Sequence, residues 1–286
     1  MQQRNIIDAI LSIISKHSLS IGTSNNTSNR LHSMGEPLED FIKDAFAGTI
    51  GVNKNDKLKP YNETFSYGGG ANNPPDAILN KGDAIEVKKV ESIGDIQLNS
   101  SYPKAKLYND DSRISTACKK CENGTWTVKD IIYAIGCVKK GTNNLSSLAL
   151  VYGDLYCADK DCYEGIFNKV KDSINKADLP LEDTNELGHI NSVDPLGITY
   201  FRARSMWGIR HPFKVFDYIY QYDSRRKSGF EMMAIIPKSK FEGFVNKNLL
   251  EEEAKVNNNL FITDCQVKDP NNTVQLIDVK FITYKI

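Results

Sequence analysis

The amino-acid sequence predicts a mixed α/β fold, in which helices and strands alternate along the chain. Three patterns support this prediction. Two segments near the N-terminus carry apolar residues at helical spacing, the middle of the chain holds short apolar runs bounded by turn residues, and the last third alternates between both patterns. Such an order is typical of a central sheet covered by helices.

The two helical segments come first. Residues 6–14 have apolar side chains at helical spacing, and Asp8 interrupts the run. Because no cleavage site of small residues follows, this segment is interpreted as an amphipathic helix rather than a signal peptide. Residues 18–34 are rich in Ser, Asn and Thr and are predicted to form a loop. A second helix is predicted after Gly35, with Pro37 in its first turn.

The strand patterns begin after a polar connection at residues 51–62. Strands are predicted at 64–67, 76–80, 84–90, 130–137 and 148–152. The second and third of these are joined by Lys81-Gly82-Asp83, which is typical of a hairpin turn. The last two are apolar runs and are expected to be central strands. A helix is predicted over residues 160–176, with its apolar side chains on one face.

The last third of the chain continues the alternation. The predicted elements there are a strand at 197–204, a helix at 212–222 and strands at 232–236, 260–265 and 274–283. No segment rich in Pro and Gly divides the chain. We therefore predict a single domain over residues 1–286, with a core at about 33–180 and an elaborated C-terminal part at about 181–286.

Composition and charge leave several functional classes open. The chain has 286 residues, of which 36 are basic and 36 acidic, so its formal net charge is zero. A protein that coats DNA without sequence preference is usually basic overall, whereas a site-specific enzyme needs only a local basic cleft. No apolar run approaches the ~18 residues of a membrane span, and six cysteines are too few for a disulfide scaffold. These features predict a cytoplasmic protein without membrane association.

The segment most informative about function is PPDAILNKGDAIEVK, at residues 74–88. Asp76 opens one strand of the predicted hairpin, and Glu86 and Lys88 lie in the other. Since alternate residues of a strand share a face, Glu86 and Lys88 are expected to point the same way, and the hairpin can bring Asp76 close to them. The alternative is that Asp76 is a turn residue and that the other two belong to a solvated strand face.

Two carboxylates and one amine on the same side of a sheet suit phosphodiester hydrolysis. Carboxylate oxygens are suitable ligands for Mg²⁺, which lowers the pKa of a bound water and stabilises charge on the phosphate. A lysine beside the metal positions or activates the attacking water. The predicted catalytic residues are Asp76, Glu86 and Lys88, and the predicted metal ligands are Asp76, Glu86 and the backbone carbonyl of Val87.

A glutamate of the second helix is a further candidate ligand. At ~100° per residue around a helix, Glu39 falls beside Phe46, at the border of the apolar stripe. Glu36, Asp40 and Asp44 are expected further round, toward solvent. Glu39 is therefore predicted to approach the metal; the alternative is an ordinary boundary residue of the helix.

Four long segments are more specific than the three-residue motif: SMGEPLEDFIKDAFAGT (33–49), NNPPDAILNKGDAIEVKKVES (72–92), LNSSYPKAKLY (98–108) and VDPLGITYFRARSMWGI (193–209). In these segments the sequence resembles the NgoPII family of type II restriction endonucleases, and the resemblance extends over at least residues 33–222. It implies a PD-(D/E)xK core of the restriction-endonuclease type, with a mixed central sheet flanked by helices. It also implies magnesium dependence and double-strand cleavage at GGCC, as part of a restriction-modification system.

The catalytic residues carry over position by position. Asp76, Glu86 and Lys88 match the catalytic motif of the family without departure. Glu39 would match the auxiliary helix glutamate found in many nucleases of the broader fold. The resemblance thus implies the same site as the spacing of the residues does.

Two segments are predicted to contact DNA. The first follows the catalytic strand and contains Asn99, Ser100, Ser101, Tyr102, Lys104 and Lys106. The second contains Arg202, Arg204, Trp207, Arg210 and His211. Polar side chains can reach base edges, lysines can bind phosphates, and arginine matches the O6 and N7 atoms of guanine. The alternatives are a polar surface loop for the first segment and a charged strand face for the second.

The cysteines suggest a possible structural metal. Cys118 and Cys121 have the spacing of zinc ligands, and Cys157 and Cys162 could supply a second pair. The second spacing is loose, and no histidine lies nearby in sequence. Cys137 falls inside an apolar run and is expected to be a core residue.

Three classes of function remain open at this point. The first is a site-specific endonuclease, the second a repair or junction nuclease that recognises DNA shape, and the third a zinc-stabilised DNA-binding protein without catalysis. An intact set of Asp76, Glu86 and Lys88 argues against the third, since two carboxylates facing phosphate do not help a pure binder. Double-stranded DNA is the predicted partner, and a palindromic target predicts a homodimer.

Overall fold

The structure is a computed structural model, and it describes residues 3–16, 19–21, 37–70, 73–98, 101–184, 186–222 and 229–286. Most of the loop predicted at 18–34 lies outside these residues. The described helices are α1 (Ile6–Ile14), α2 (Pro37–Ala47), α3 (Leu58–Thr64), α4 (Thr116–Lys120), α5 (Gly153–Tyr156), α6 (Lys160–Asn175), α7 (Pro212–Val215), α8 (Lys238–Gly243) and α9 (Lys247–Val256). Short 3₁₀ helices occupy Lys54–Asp56 and Cys121–Gly124.

Thirteen strands are present in the described part of the chain. They are β1 (Phe65–Tyr67), β2 (Ala77–Leu79), β3 (Ala84–Val90), β4 (Ile96–Leu98), β5 (Lys106–Tyr108), β6 (Val128–Val138), β7 (Leu145–Tyr152), β8 (Gly188–Ile190), β9 (Phe201–Ala203), β10 (Trp207–Ile209), β11 (Glu231–Pro237), β12 (Leu260–Lys268) and β13 (Leu276–Lys285).

One nine-stranded sheet organises the molecule. Its order is β1-β2-β3-β6-β7-β11-β13-β12, and β5 also pairs with β6. The pairs β3/β6 and β7/β11 are parallel, and the other pairs are antiparallel. Helices flank this sheet. The predicted mixed α/β fold with a restriction-endonuclease-like central sheet is therefore confirmed.

The N-terminal helices pack closely in the core. In α1, Ile6 and Ile10 are fully buried, and the side chain of Asn5 caps the helix by accepting a hydrogen bond from the Ile7 amide. Helix α2 approaches strand β6 so closely that a Cβ atom at Gly136 would lie 2.8 Å from the side chain of Leu38. This contact holds α2, and with it Glu39, against the middle of the sheet.

The chain departs from prediction around α2 and α3. Asp44 was expected toward solvent but is buried. Its carboxylate accepts hydrogen bonds from Thr49 Oγ1 at 2.6 Å and Tyr61 OH at 2.9 Å, and it pairs with Lys57. These partners offset the cost of burying the charge. They also hold α3 in a segment that was predicted to be a connection.

The C-terminal third departs from prediction at three places. The strand expected at 197–204 is limited to β9, and the helix expected at 212–222 is limited to α7. Helices α8 and α9 were not predicted. The strands β11 and β12 match their predicted positions and are longer at their ends, whereas β13 has the predicted length but begins and ends two residues later. Among the described helices, none is long and apolar enough to cross a membrane.

Candidate active site

The hairpin of β2 and β3 places Asp76 against the middle of β3. The Asp76 amide donates to the Ile85 carbonyl at 2.9 Å. Its carboxylate in turn accepts a hydrogen bond from the Val87 amide, with Oδ2 at 2.7 Å. Asp76 therefore extends the pairing between β2 and β3. Its backbone amide forms one further hydrogen bond to β3, and its carboxylate accepts the next one. The expectation that the hairpin brings Asp76 beside Glu86 and Lys88 is confirmed.

Glu86 and Lys88 lie on the same face of β3, as the alternation predicts. Lys88 Nζ is 2.6 Å from Glu86 Oε1. The other carboxylate oxygen of Glu86, Oε2, is buried and has no hydrogen-bond partner within the described residues. A buried carboxylate oxygen without a donor costs free energy, so this oxygen is suited to a ligand that the protein itself does not supply.

The charges of the three residues influence one another. Burial raises the pKa of Glu86, Lys88 opposes this shift, and Asp76 adds to it. For Lys88, burial acts to lower the pKa, but the carboxylates of Glu86 and Asp76 outweigh it, and the pKa is raised. The ammonium form of Lys88 is thus stabilised by the two carboxylates beside it.

These residues fit a divalent cation with oxygen ligands. Glu86 offers its buried Oε2. The Asp76 carboxylate lies beside β3, the strand that carries Glu86. In a strand, the N–H and C=O groups of one residue point to the same side. Because the Val87 amide points toward Asp76, the Val87 carbonyl points to that side as well. Two carboxylates and a carbonyl are typical of a Mg²⁺ site that keeps several waters.

Glu39 lies at the border of the apolar face of α2, as its angle on the helix predicts. It is half-buried on α2, and its carboxylate is 3.8 Å from Lys43 Nζ. Across the described residues, no group of three or more His, Cys, Asp or Glu side chains has the arrangement of a metal site. The charge of Glu39 contributes to the raised pKa of Lys88, and its role as a metal ligand stays a prediction.

A glycine next to the site was not recognised in the sequence. Gly69 has a φ of 92°, and a Cβ atom there would lie only 2.3 Å from the backbone oxygen of Asp76. Lys43 of α2 donates to the neighbouring Gly68 carbonyl at 3.0 Å. Glycine is required where backbone approaches backbone this closely. The run of three glycines at 68–70, shortly before Asp76, is the sequence signal from which this contact could have been predicted.

The turn of the hairpin is held by residues distant in sequence. Asp83 accepts hydrogen bonds from Tyr152 OH at 2.7 Å and from Lys240 Nζ at 2.6 Å. Lys129 Nζ donates to the Gly82 carbonyl at 3.1 Å. Strand alternation and turn propensity contain no information about these partners. They connect the hairpin to β6, β7 and α8, and so fix the strand that carries Glu86 and Lys88.

The first predicted DNA-contact segment is only partly described. Asn99 and Ser100 lie outside the described residues. The Ser101 hydroxyl donates to the Tyr102 carbonyl at 3.1 Å. The prediction for Lys104 is corrected: its side chain is buried, pairs with Asp111 and lies 4.4 Å from the centre of the Tyr102 ring.

Lys104 is therefore not accessible to a DNA phosphate. Burial lowers the pKa of Lys104, and Asp111 opposes that shift. Its neighbour Lys106 is more exposed but forms ion pairs with Asp130 and Asp154. In this segment the basic side chains are engaged within the protein.

The second segment is held next to the first. Strand β10 pairs with β4, which directly precedes residues 99 and 100. Arg202 and Arg204 reach the same carboxylate, with each Nε 2.8 Å from an oxygen of Glu186. This shared partner confirms that the two arginines lie on one face. Both are exposed, as is Arg210.

His211 is a correction to the second segment. It is fully buried, its Nδ1 accepts a hydrogen bond from the Phe213 amide, and burial together with Lys214 lowers its pKa to about 4. Its position at the start of α7 is that of a helix cap rather than a DNA contact. Trp207 is half-buried and packs edge-on against Tyr163, with ring centroids 5.5 Å apart.

The four cysteines predicted as zinc ligands do not come together. The Cys121 thiol neighbours Ser66, Glu122 and Lys129, whereas Cys157 is buried beside Tyr133. Cys162 is exposed on α6. Within the described part of the chain, which includes all four, no metal-binding group of three such side chains forms. The zinc prediction was wrong because Cys118 and Cys121 are neighbours but the second pair of cysteines does not join them. All six cysteines are free, and Cys137 is in the core as predicted.

Comparison with known proteins agrees with this architecture. A family model of the NgoPII restriction endonuclease matches residues 4–268. The chain is 44% identical to the type II restriction enzyme NgoPII of Neisseria gonorrhoeae, in an alignment that covers 99% of this chain and 100% of that protein. No solved structure matches the chain significantly. The chain therefore belongs to the NgoPII restriction endonuclease family and is a type II restriction endonuclease.

Proposed function

We propose that this chain makes magnesium-dependent double-strand breaks in DNA at GGCC, with Asp76, Glu86 and Lys88 as the catalytic residues. The observation that carries the proposal is the arrangement on β3. The Asp76 carboxylate is fixed on the Val87 amide at 2.7 Å, next to a buried Glu86 carboxylate with an oxygen lacking a protein donor. The relative from Neisseria gonorrhoeae, named as a type II restriction enzyme, supports the assignment to site-specific cleavage.

Each residue has a distinct task in this proposal. Asp76, Glu86 and the Val87 carbonyl would hold the cation, which when bound would supply a Lewis acid for the phosphate and for a water molecule. Lys88 keeps its ammonium form beside Glu86 and donates hydrogen bonds to the attacking water and to the phosphate oxygens. The hydrogen bond from Val87 keeps the Asp76 carboxylate in place before DNA arrives. Little reorganisation is then needed when the substrate binds.

A separate element is proposed to read the target. Arg202 and Arg204 are two residues apart on one exposed face. An arginine side chain can form two hydrogen bonds with guanine in the major groove. In the DNA-free chain both are bound to Glu186, so a guanine would have to replace this carboxylate. An exposed ion pair contributes only ~0–1 kcal/mol, which a bidentate arginine–guanine contact of ~1–3 kcal/mol can exceed. A palindromic target read in this way calls for two copies related by a twofold axis.

A plasmid digest tests the proposed function. Incubation with Mg²⁺ is expected to convert plasmid DNA with several GGCC sites into discrete fragments whose ends map to those sites. Omission of the metal is expected to stop the reaction. Cleavage restricted to branched or damaged DNA would instead favour a repair or junction nuclease, and absence of cleavage with any divalent metal would contradict the catalytic proposal.

Arg202→Ala and Arg204→Ala test the reading role. Each is expected to weaken binding to a GGCC duplex at least about tenfold, with a much smaller loss on a duplex of random sequence. The reason is that a base contact is made only on the cognate site, whereas a phosphate contact is made on both. Titrations with Ca²⁺ in place of Mg²⁺ measure binding without cleavage.

Arg4→Ala is the matched control for these variants. Arg4 is also a surface arginine in an ion pair, 2.9 Å from Asp8, but it lies at the N-terminal helix. Arg4→Ala is expected to change neither the affinity for the GGCC duplex nor the affinity for a duplex of random sequence. Equal losses on cognate and random DNA for both Arg202→Ala and Arg204→Ala would remove these residues from the reading role.

A further inference from the structure

One loop exposes apolar side chains to an unusual degree. We define the apolar tip as residues 193–201, whose large exposed side chains are Val193, Leu196, Ile198, Tyr200 and Phe201. Leu196 is 83% exposed and Ile198 is 74% exposed. Single exposed apolar residues are common on soluble proteins, but five large ones within nine consecutive residues indicate an interaction surface.

The backbone of the tip is organised by one carboxylate. Asp194 accepts hydrogen bonds from the amides of Leu196 at 2.9 Å and Thr199 at 2.6 Å, and from the Thr199 hydroxyl at 2.6 Å. The Gly197 amide donates to the Asp194 carbonyl at 2.9 Å. With polar groups directed inward in this way, Leu196 and Ile198 are presented outward. The loop is thus ordered by the chain itself, and little entropy would be lost when it binds.

The charge around the tip does not suit nucleic acid. The tip itself, residues 193–201, contains one charged residue, Asp194, and no basic residue. A surface that binds phosphate is expected to be positive. An apolar tip without basic side chains fits a protein surface better than a DNA backbone.

The size of the tip matches the apolar part of a dimer interface. At ~150 Å² for each large side chain, of which 53–83% is exposed, the five side chains together offer on the order of 500 Å² of accessible apolar surface. A standard interface buries about 800 Å² per partner, of which about 60% is apolar. The tip alone therefore supplies roughly the apolar area that one copy needs.

We infer that the apolar tip is the surface through which two copies of this chain associate. The inference rests on the proposed palindromic GGCC target, and it adds the location of the interface. In a target of four base pairs, each half-site extends only ~7 Å from the twofold axis. The elements that read the two half-sites must then lie close together. Arg202 and Arg204 directly follow the tip, so contact between two tips brings the two reading elements to the axis.

Sedimentation of the full chain, without DNA or metal, tests this inference. The wild-type chain of 32.1 kDa is expected to form a dimer of twice that mass. The double variant Leu196→Glu/Ile198→Glu is expected to weaken the dimer by at least about a hundredfold, because charges are then placed at the centre of the contact. Both side chains are exposed, so the thermal unfolding of the variant should match that of the wild type.

The matched control introduces the same charges elsewhere. Val256 and Val274 are 76% and 89% exposed, and Val256→Glu/Val274→Glu is expected to leave the dimer unchanged. A tip variant that dimerises like the wild type overturns the inference, as does a wild-type chain that stays monomeric both alone and on a GGCC duplex. Unchanged dimerisation with loss of DNA binding would identify the tip as a DNA contact instead. Because association is measured without metal, its outcome is independent of whether the chain cleaves GGCC.

Discussion

Glu86→Gln and Asp76→Asn are each expected to lower the rate of plasmid cleavage by about four orders of magnitude or more. The metal contributes several kcal/mol to stabilising the transition state, and every 1.4 kcal/mol corresponds to a factor of ten in rate. Both substitutions keep the shape of the side chain and remove one negative charge. In Asp76→Asn, the amide oxygen can still accept the hydrogen bond from Val87, so the hairpin is preserved.

DNA binding distinguishes a catalytic defect from a folding defect. Removal of a carboxylate that faces phosphate relieves repulsion, so affinity for a GGCC duplex measured without divalent metal should be retained or improved. Glu91→Gln is the control, because Glu91 is exposed and lies just after β3. It is expected to cleave at the wild-type rate. Near-normal cleavage by either Glu86→Gln or Asp76→Asn would show that the metal site lies elsewhere.

Local sequence patterns were sufficient to predict the strand that carries the site. In β3, Ile85 and Val87 alternate with Glu86 and Lys88, and this period of two allows only one assignment of faces. The turn at 81–83 then determines which residue of β2 lies opposite each residue of β3. The hairpin could be predicted because its two strands pair between residues close in sequence.

Contacts between distant elements could not be predicted in the same way. Lys104 was assigned to DNA because it is a lysine in a polar segment, but Asp111 and the Tyr102 ring give it a buried position. Asp44 was placed in solvent by its angle on α2, but Thr49 and Tyr61 enclose it. A charged residue is predicted to be exposed unless a partner is available, and the sequence pattern does not indicate which partner the fold supplies.

Lys88→Ala is expected to reduce cleavage by several powers of ten, because it removes the hydrogen-bond donor that we propose contacts the reacting phosphate. Lys88 Nζ is 2.6 Å from Glu86 Oε1, and the carboxylates that raise its pKa keep it positively charged at neutral pH. Without the ammonium, Glu86 and Asp76 would repel each other more strongly. Measurement of single-turnover rates at saturating enzyme separates this chemical effect from weaker DNA binding.

Lys88→Arg tests whether positive charge alone is sufficient. The guanidinium is planar and wide, and it cannot occupy the position of a compact ammonium between Glu86 and the phosphate. We therefore expect Lys88→Arg to remain close to Lys88→Ala in rate. Lys89→Ala is the matched control, since Lys89 is exposed and adjacent but points to the opposite face of β3, and it should cleave normally. Full activity of Lys88→Arg would mean that Lys88 contributes only a general positive potential. In that case the short contact with Glu86 would serve to hold the strand in place rather than to take part in the reaction.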